Sequence, residues 1–124
     1  MTNGDSIAKE AAISAYFRLQ DLTSQSATGS QRIEEAIDVS AYRTLVVQTR
    51  IPVQAGTSGT LVLEHAAVLD EDAFTTLGSF SINLASDSND VEAINDPLRF
   101  VRWKITAFSG SAASFMIDIV ARET

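Results

Sequence analysis

The sequence predicts an all-β protein: an antiparallel β-sandwich of jelly-roll-like topology preceded by a short N-terminal arm. Three observations lead there. Apolar and polar residues alternate with a period of two in several segments, most clearly from Leu98 to Arg122, as half-buried strands require. Six to eight such short segments are separated by clusters of Gly, Pro, Ser, Asn and Asp, the residues that make turns. No convincing amphipathic helix follows residue 20, so the strands must bury their apolar faces against one another.

Taken in order, residues 1–14 form the arm. Its Ala-rich piece from Ile7 to Ile13, with Ser6 as N-cap, has the makings of a turn or two of helix, but a helix that short is marginal alone. It reads either as a frayed terminus or as a segment that orders against a neighbouring subunit. Residues 15–124 form the sandwich domain. Tyr16 to Leu22 is favoured as a first strand over a helix, and Thr23 to Ser30 as a polar loop or edge segment. Arg32 to Ile37 alternates. Asp38-Val39-Ser40-Ala41-Tyr42 then reads as a tight corner, with Asp38 and Ser40 able to bond their own backbone.

Arg43 to Ile51 alternates cleanly and Pro52 stops it, since proline cannot donate to a ladder. After the loop Ala55-Gly56-Thr57-Ser58-Gly59, Thr60 to Ala66 returns, and the two segments read as a hairpin. Leu69 to Asp72 is an acidic loop. Phe74 to Leu84 is strand-rich with a bulge or break at Gly78. Ala85 to Asp90 is a turn cluster, Val91 to Ile94 a short strand and Asn95-Asp96-Pro97 another turn.

The last two segments, joined at Ser109-Gly110-Ser111, read as an antiparallel hairpin. Their apolar rows, Val101-Trp103-Ile105-Ala107 and Phe115-Ile117-Ile119-Ala121, form the core, with the Trp103 indole N–H needing a partner. The opposite face, with Phe100, Arg102, Lys104, Phe108 and Met116, is expected to meet a neighbouring subunit. On that division Ile117→Ala costs roughly 2 to 5 kcal/mol, and Arg102→Glu spares the fold and weakens assembly.

Composition bounds the function. At 124 residues the chain is one domain's worth. It has no cysteine, hence no disulfide and no Cys-based zinc site. No apolar run approaches the ~18 residues of a membrane span, and the first residues lack the basic and apolar regions of a signal peptide. These features predict a soluble chain made in the cytoplasm, with no membrane partner. The net charge of −7 argues against a nucleic-acid partner, which would need clustered Lys and Arg. Eight acids and no Lys or Arg lie between Ile51 and Leu98, with Arg43, Arg50, Arg99, Arg102 and Lys104 on either side. That asymmetry reads as acidic loops and salt-bridged strands, or as complementary faces that steer subunits together.

Site chemistry is sparse. His65 is the single histidine, and it falls in line with Leu61 and Leu63, as a packed or edge residue would. The nucleophile elbow Gly-x-Ser-x-Gly is missing, and Gly56-Thr57-Ser58-Gly59 lacks the ending of a phosphate loop. Asp70-Glu71-Asp72 and Asp87-Ser88-Asn89-Asp90 offer oxygen ligands for calcium, but without EF-hand spacing they read as solvated loops. No catalytic residue, cofactor or metal site is therefore assigned, and the chain is expected not to be an enzyme. Trp103, Tyr42 and Phe108 would make a sugar-stacking platform if exposed together, which keeps a carbohydrate-binding module as the alternative.

Three stretches carry a resemblance. They are Asp38-Val39-Ser40-Ala41-Tyr42 running into the strand to Gln48, then Gly59-Thr60-Leu61-Val62-Leu63-Glu64 with Phe74-Thr75-Thr76-Leu77-Gly78, then Pro97-Leu98-Arg99-Phe100-Val101-Arg102 with Thr106-Ala107-Phe108-Ser109-Gly110. Together, over about residues 38–122, they resemble small β-sandwich accessory proteins of phage virions, which decorate heads or sit in head and tail appendages. The chain differs from that pattern after Glu64, where His65-Ala66-Ala67 replaces a Gly-rich turn. The resemblance implies a non-enzymatic structural subunit of a phage or phage-like particle, located in the virion and made in the host cytoplasm. Its expected partners are its own copies, as a homo-oligomer, and a major capsid or tail protein.

Overall fold

The computed structural model describes residues 14–25, 28–52, 57–83, 88–110 and 113–123. The predicted arm lies outside these residues except for Ser14, which opens the first strand. Nine strands are described: β1 (Ser14–Gln25), β2 (Gly29–Ser30), β3 (Ile37–Asp38), β4 (Thr44–Ile51), β5 (Ser58–Ala66), β6 (Thr75–Asn83), β7 (Ser88–Asn95), β8 (Phe100–Ser109) and β9 (Ala113–Arg122). They form two sheets, ordered β1-β9-β4-β7 and β2-β8-β5-β6, with β3 also pairing β8. Every pairing is antiparallel. The order is that of a jelly roll, with one strand split into β2 and β3 by a 3-10 turn at Ile33–Glu35. That turn replaces the alternating segment expected at Arg32 to Ile37.

The alternation read from sequence becomes a buried face in each sheet. In β4, Leu45, Val47, Thr49 and Ile51 point inward, and in β9 Ala113, Phe115, Ile117, Ile119 and Ala121 do so. Val101, Trp103 and Ile105 oppose them from β8. The corner at Asp38 forms as expected, with the Ser40 N–H donating to Asp38 Oδ1 at 3.0 Å and the Tyr42 N–H to the Val39 carbonyl at 3.0 Å. Asp70 likewise caps the 3-10 turn Glu71–Ala73 by accepting from the Asp72 N–H. β7 begins earlier than expected, so Ser88 to Asp90 are strand rather than turn.

Neither expected hairpin exists. β8 and β9 lie in different sheets, and so do β4 and β5. A short turn between two alternating segments serves equally well for a hairpin or for an arch that crosses the ~10 Å between packed sheets. The arch is favoured here because it sets the two apolar rows against each other. The Trp103 and Phe115 rings meet edge to face, centroids 5.1 Å apart at 88°.

The alternation also slips locally. In the β5–β8 ladder Thr60 pairs with Ala107 and Leu61 with Ile105, so Thr106 is an extra residue in β8. Beyond it the faces exchange: Ala107 is exposed, against expectation, and Phe108 packs on the core. β6 gains residues against β5 between Thr76 and Ser81, which places a bulge where Gly78 predicted one.

Two glutamines stitch the sheets together. β1 is irregular on both sides of Gln20, which pairs with core-facing Ile117, and Gln20 Oε1 accepts the Trp103 indole N–H at 2.9 Å. That is the partner the indole needed. Buried Gln31 donates from Nε2 to the Leu19 carbonyl in one sheet and accepts at Oε1 from the Trp103 N–H in the other. Thr49 is the exception to this satisfaction: its Oγ1 is buried without a hydrogen-bond partner among the described residues. Thr49→Val keeps the shape and removes that cost, so it is expected to stabilise the fold by about 1–2 kcal/mol. A rise in the urea midpoint at unchanged slope would show it.

Candidate interaction surfaces

The surface expected from sequence does not form as one patch. Arg102 is the plainest correction: it is 3% exposed. Its outward position on β8 is roofed by Glu64 of β5, its register partner, and by the loop between β5 and β6. Nε donates to Glu64 Oε1 at 2.9 Å, Nη1 to the Gln31 carbonyl at 3.2 Å, and Nη2 reaches Glu71 Oε2 at 2.7 Å. The guanidinium also lies 4.1 Å over the Phe74 ring. Burial by itself would lower the pKa of this arginine, but the hydrogen bonds it donates to Glu71 and Glu64 outweigh that and leave the pKa raised. In return the Arg102 hydrogen bond holds the Glu71 carboxyl below the usual range. Arg102→Glu would thus place three carboxylates together and not spare the fold.

Phe108 is likewise turned inward by the Thr106 bulge. Phe100 is half-buried with the Arg99 guanidinium 4.9 Å over its ring. Lys104 is partly exposed and approaches Glu64 at 3.7 Å. Met116 sits on β9, in the other sheet, so it shares no face with the remaining four. The sugar-stacking rings are not exposed together either. Trp103 is buried, and Tyr42 and Phe108 pack against the core, Tyr42 edge-on to Phe17 at 6.2 Å.

What the structure does present is the outer face of β1-β9-β4-β7. The registers align Tyr16, Val120, Val46 and Ala93 in one row across all four strands. Tyr16 and Val120 are 59% and 39% exposed, and Val91 in the next row is 65% exposed. Polar pairs flank the row. Asp118 accepts from Tyr16 Oη at 2.5 Å and Arg18 Nε at 2.8 Å, Thr44 bonds Asn95 at 3.2 Å and Gln48 bonds Asn89 at 2.9 Å. Burial pushes the Asp118 carboxyl up, but the Arg18 and Tyr16 bonds win and hold it low. Sequence reasoning missed this row because each strand contributes a single residue to it. The available signal was Val46, Val91 and Val120 standing at positions that alternation assigns to polar residues.

Three more exposed apolar residues, Val68, Leu69 and Leu98, lie on the loops that flank β5, β6 and β8 at one end of the sandwich. His65 lies beside Leu98. Its Nδ1 accepts the Leu98 N–H at 3.0 Å, and burial lowers its pKa. Protonation would break that bond, so the folded state binds a proton less readily than the unfolded chain. The stability from His65 is therefore full above the unfolded pKa of about 6.5 and is lost as pH falls from there through the lower folded value. Melting temperatures should drop between pH 7.5 and 5 by more in the native chain than in His65→Gln.

Among the described residues no group of three or more metal-ligating side chains comes together. Asp87, part of the acidic cluster weighed for calcium, lies outside them. The two edges of the β1-β9-β4-β7 sheet are guarded. β7 carries Asp90 and Glu92 at core-facing positions, opposite Thr49 and Val47, and β1 is twice irregular; both devices discourage strand addition.

No protein-family model matches the chain, and no curated protein matches it. Solved structures do. The SPBc2 prophage-derived protein YomS superposes with a TM-score of 0.52 at 15% identity, over 89% of this chain and 93% of that one. Looser likenesses are to infectious bursal disease virus, Gx strain (TM-score 0.48, 12% identity, 90% of this chain and 32% of that one), and to the Triatoma virus empty capsid (0.43, 13%, 91% and 85%). At these identities the likeness is one of fold: this chain is an antiparallel jelly-roll-like sandwich.

Proposed function

We propose that the protein is a non-enzymatic structural subunit of a phage or phage-like particle, a capsid decoration or appendage protein that acts through contacts with its own copies and with a capsid or tail protein. The observation that carries the reading is the broad outer face of β1-β9-β4-β7, with its exposed apolar row in a sheet whose two edge strands discourage strand pairing. Single exposed apolar residues are ordinary, but a contiguous row rimmed by polar pairs marks contact surfaces. The prophage origin of YomS, a protein of the same fold and nearly the same extent, supports placing it in a virion, as does the sequence resemblance over residues 38–122.

Light scattering on the purified chain, with and without residues 1–13, together with co-sedimentation with particles, tests the reading. Self-association at high concentration or particle binding is expected. A strict monomer that ignores particles would sink it. Glycan binding by the folded protein would favour the carbohydrate-binding alternative instead.

A further inference from the structure

We infer that the outer face of β1-β9-β4-β7 is a twofold self-contact, in which the row Tyr16-Val120-Val46-Ala93 lies over the same row of a second copy with strands running antiparallel. The inference rests on the homo-oligomer reading and names its surface and geometry. Strand addition at either edge of this sheet is discouraged by the inward acids of β7 and the irregular β1, which leaves the face.

The face is complementary to itself in one orientation. On β9, outward-pointing Arg122 and Asp118 lie two residues to either side of Val120, one positive and one negative. A twofold axis along the apolar row exchanges those two positions, so each Arg122 meets the second copy's Asp118. A twofold axis along β9 would instead set Arg122 over Arg122 and Asp118 over Asp118, and one along the strands between β9 and β4 would set them over Thr44 and Gln48. Arg122 is exposed and makes no ion pair among the described residues, whereas Asp118 is already oriented by Arg18 and Tyr16. The incoming guanidinium would meet a carboxylate held ionised and in place. Electrostatic pairing of this kind fixes orientation more than it adds affinity.

The size of the face sets the strength. Four strands ~4.8 Å apart and four outward rows ~6.8 Å apart give a face roughly 20 Å on a side. That covers on the order of 400 Å² per copy, about half of a standard interface. The contact is accordingly weak and concentration-dependent in free solution, and is favoured where copies are held close together.

The absence of cysteine makes single-cysteine crosslinking the direct test, using a short bismaleimide because facing sheets stand too far apart for a disulfide. Val120→Cys lies on the axis and should crosslink about tenfold faster than Thr106→Cys, an exposed position on the other sheet. A mixture of Arg122→Cys and Asp118→Cys should crosslink faster than either variant alone. If scattering shows a dimer while Val120→Cys reacts no faster than Thr106→Cys, the proposed face is wrong and the oligomer reading stands. If Val120→Cys crosslinks but the mixture gains nothing, the face holds and the antiparallel twofold is overturned. A chain that stays monomeric at high concentration, with Val120→Cys at the control rate, removes both this inference and the homo-oligomer reading beneath it.

Discussion

Arg102→Met should destabilise the protein by about 3–5 kcal/mol, the usual cost of removing one partner of a buried ion pair. The change leaves Glu64 buried at 5% exposure with Lys104 3.7 Å away as its remaining cation among the described residues. It also removes the donor to the Gln31 carbonyl and the cation over Phe74. The penalty belongs to the stranded carboxylate more than to any net strength of the pair. Arg102→Met combined with Glu64→Leu should therefore recover much of the loss, because well-packed apolar groups often replace a buried ion pair at little cost. Urea unfolding of both variants measures this. A single variant within 1 kcal/mol of the native chain would show that the site is wet.

Phe115→Ala is expected to cost about 3–5 kcal/mol through lost burial and the cavity it opens. Phe115 is fully buried at the centre of the fold, and its ring is the edge-to-face partner of Trp103. The loss should show in two independent readouts: a lower urea midpoint, and a changed near-ultraviolet signal from the single tryptophan. Loss of stability with an unaltered tryptophan signal would mean that the two rings do not meet across the sandwich.

Much of this architecture was legible along the chain. Pro52 stopped its strand, Asp38 and Ser40 turned their corner, and the inward rows of β4 and β9 followed the period of two. What could not be read was partnership. Alternation says which face of a strand is buried but not which strand lies beside it, and here β1 pairs with β9 across nearly the whole chain. A hairpin and an arch consequently looked alike at Ser109-Gly110-Ser111. The candidate surface failed for a related reason. One extra residue, Thr106, reverses the faces of β8 for Phe108, and a register partner, Glu64, buries Arg102. Neither effect leaves a mark on the strand that shows it.

The place of β9 between β1 and β4 also gives the protein a timetable. β9 is the last of the nine strands to leave the ribosome, and until it does β1 and β4 have no strand to join them. The sheet that carries the apolar row is completed only after synthesis of all nine. The strand latest in sequence thus closes a sheet opened by the earliest, and that long-range closure predicts slow folding in which the outer face forms late.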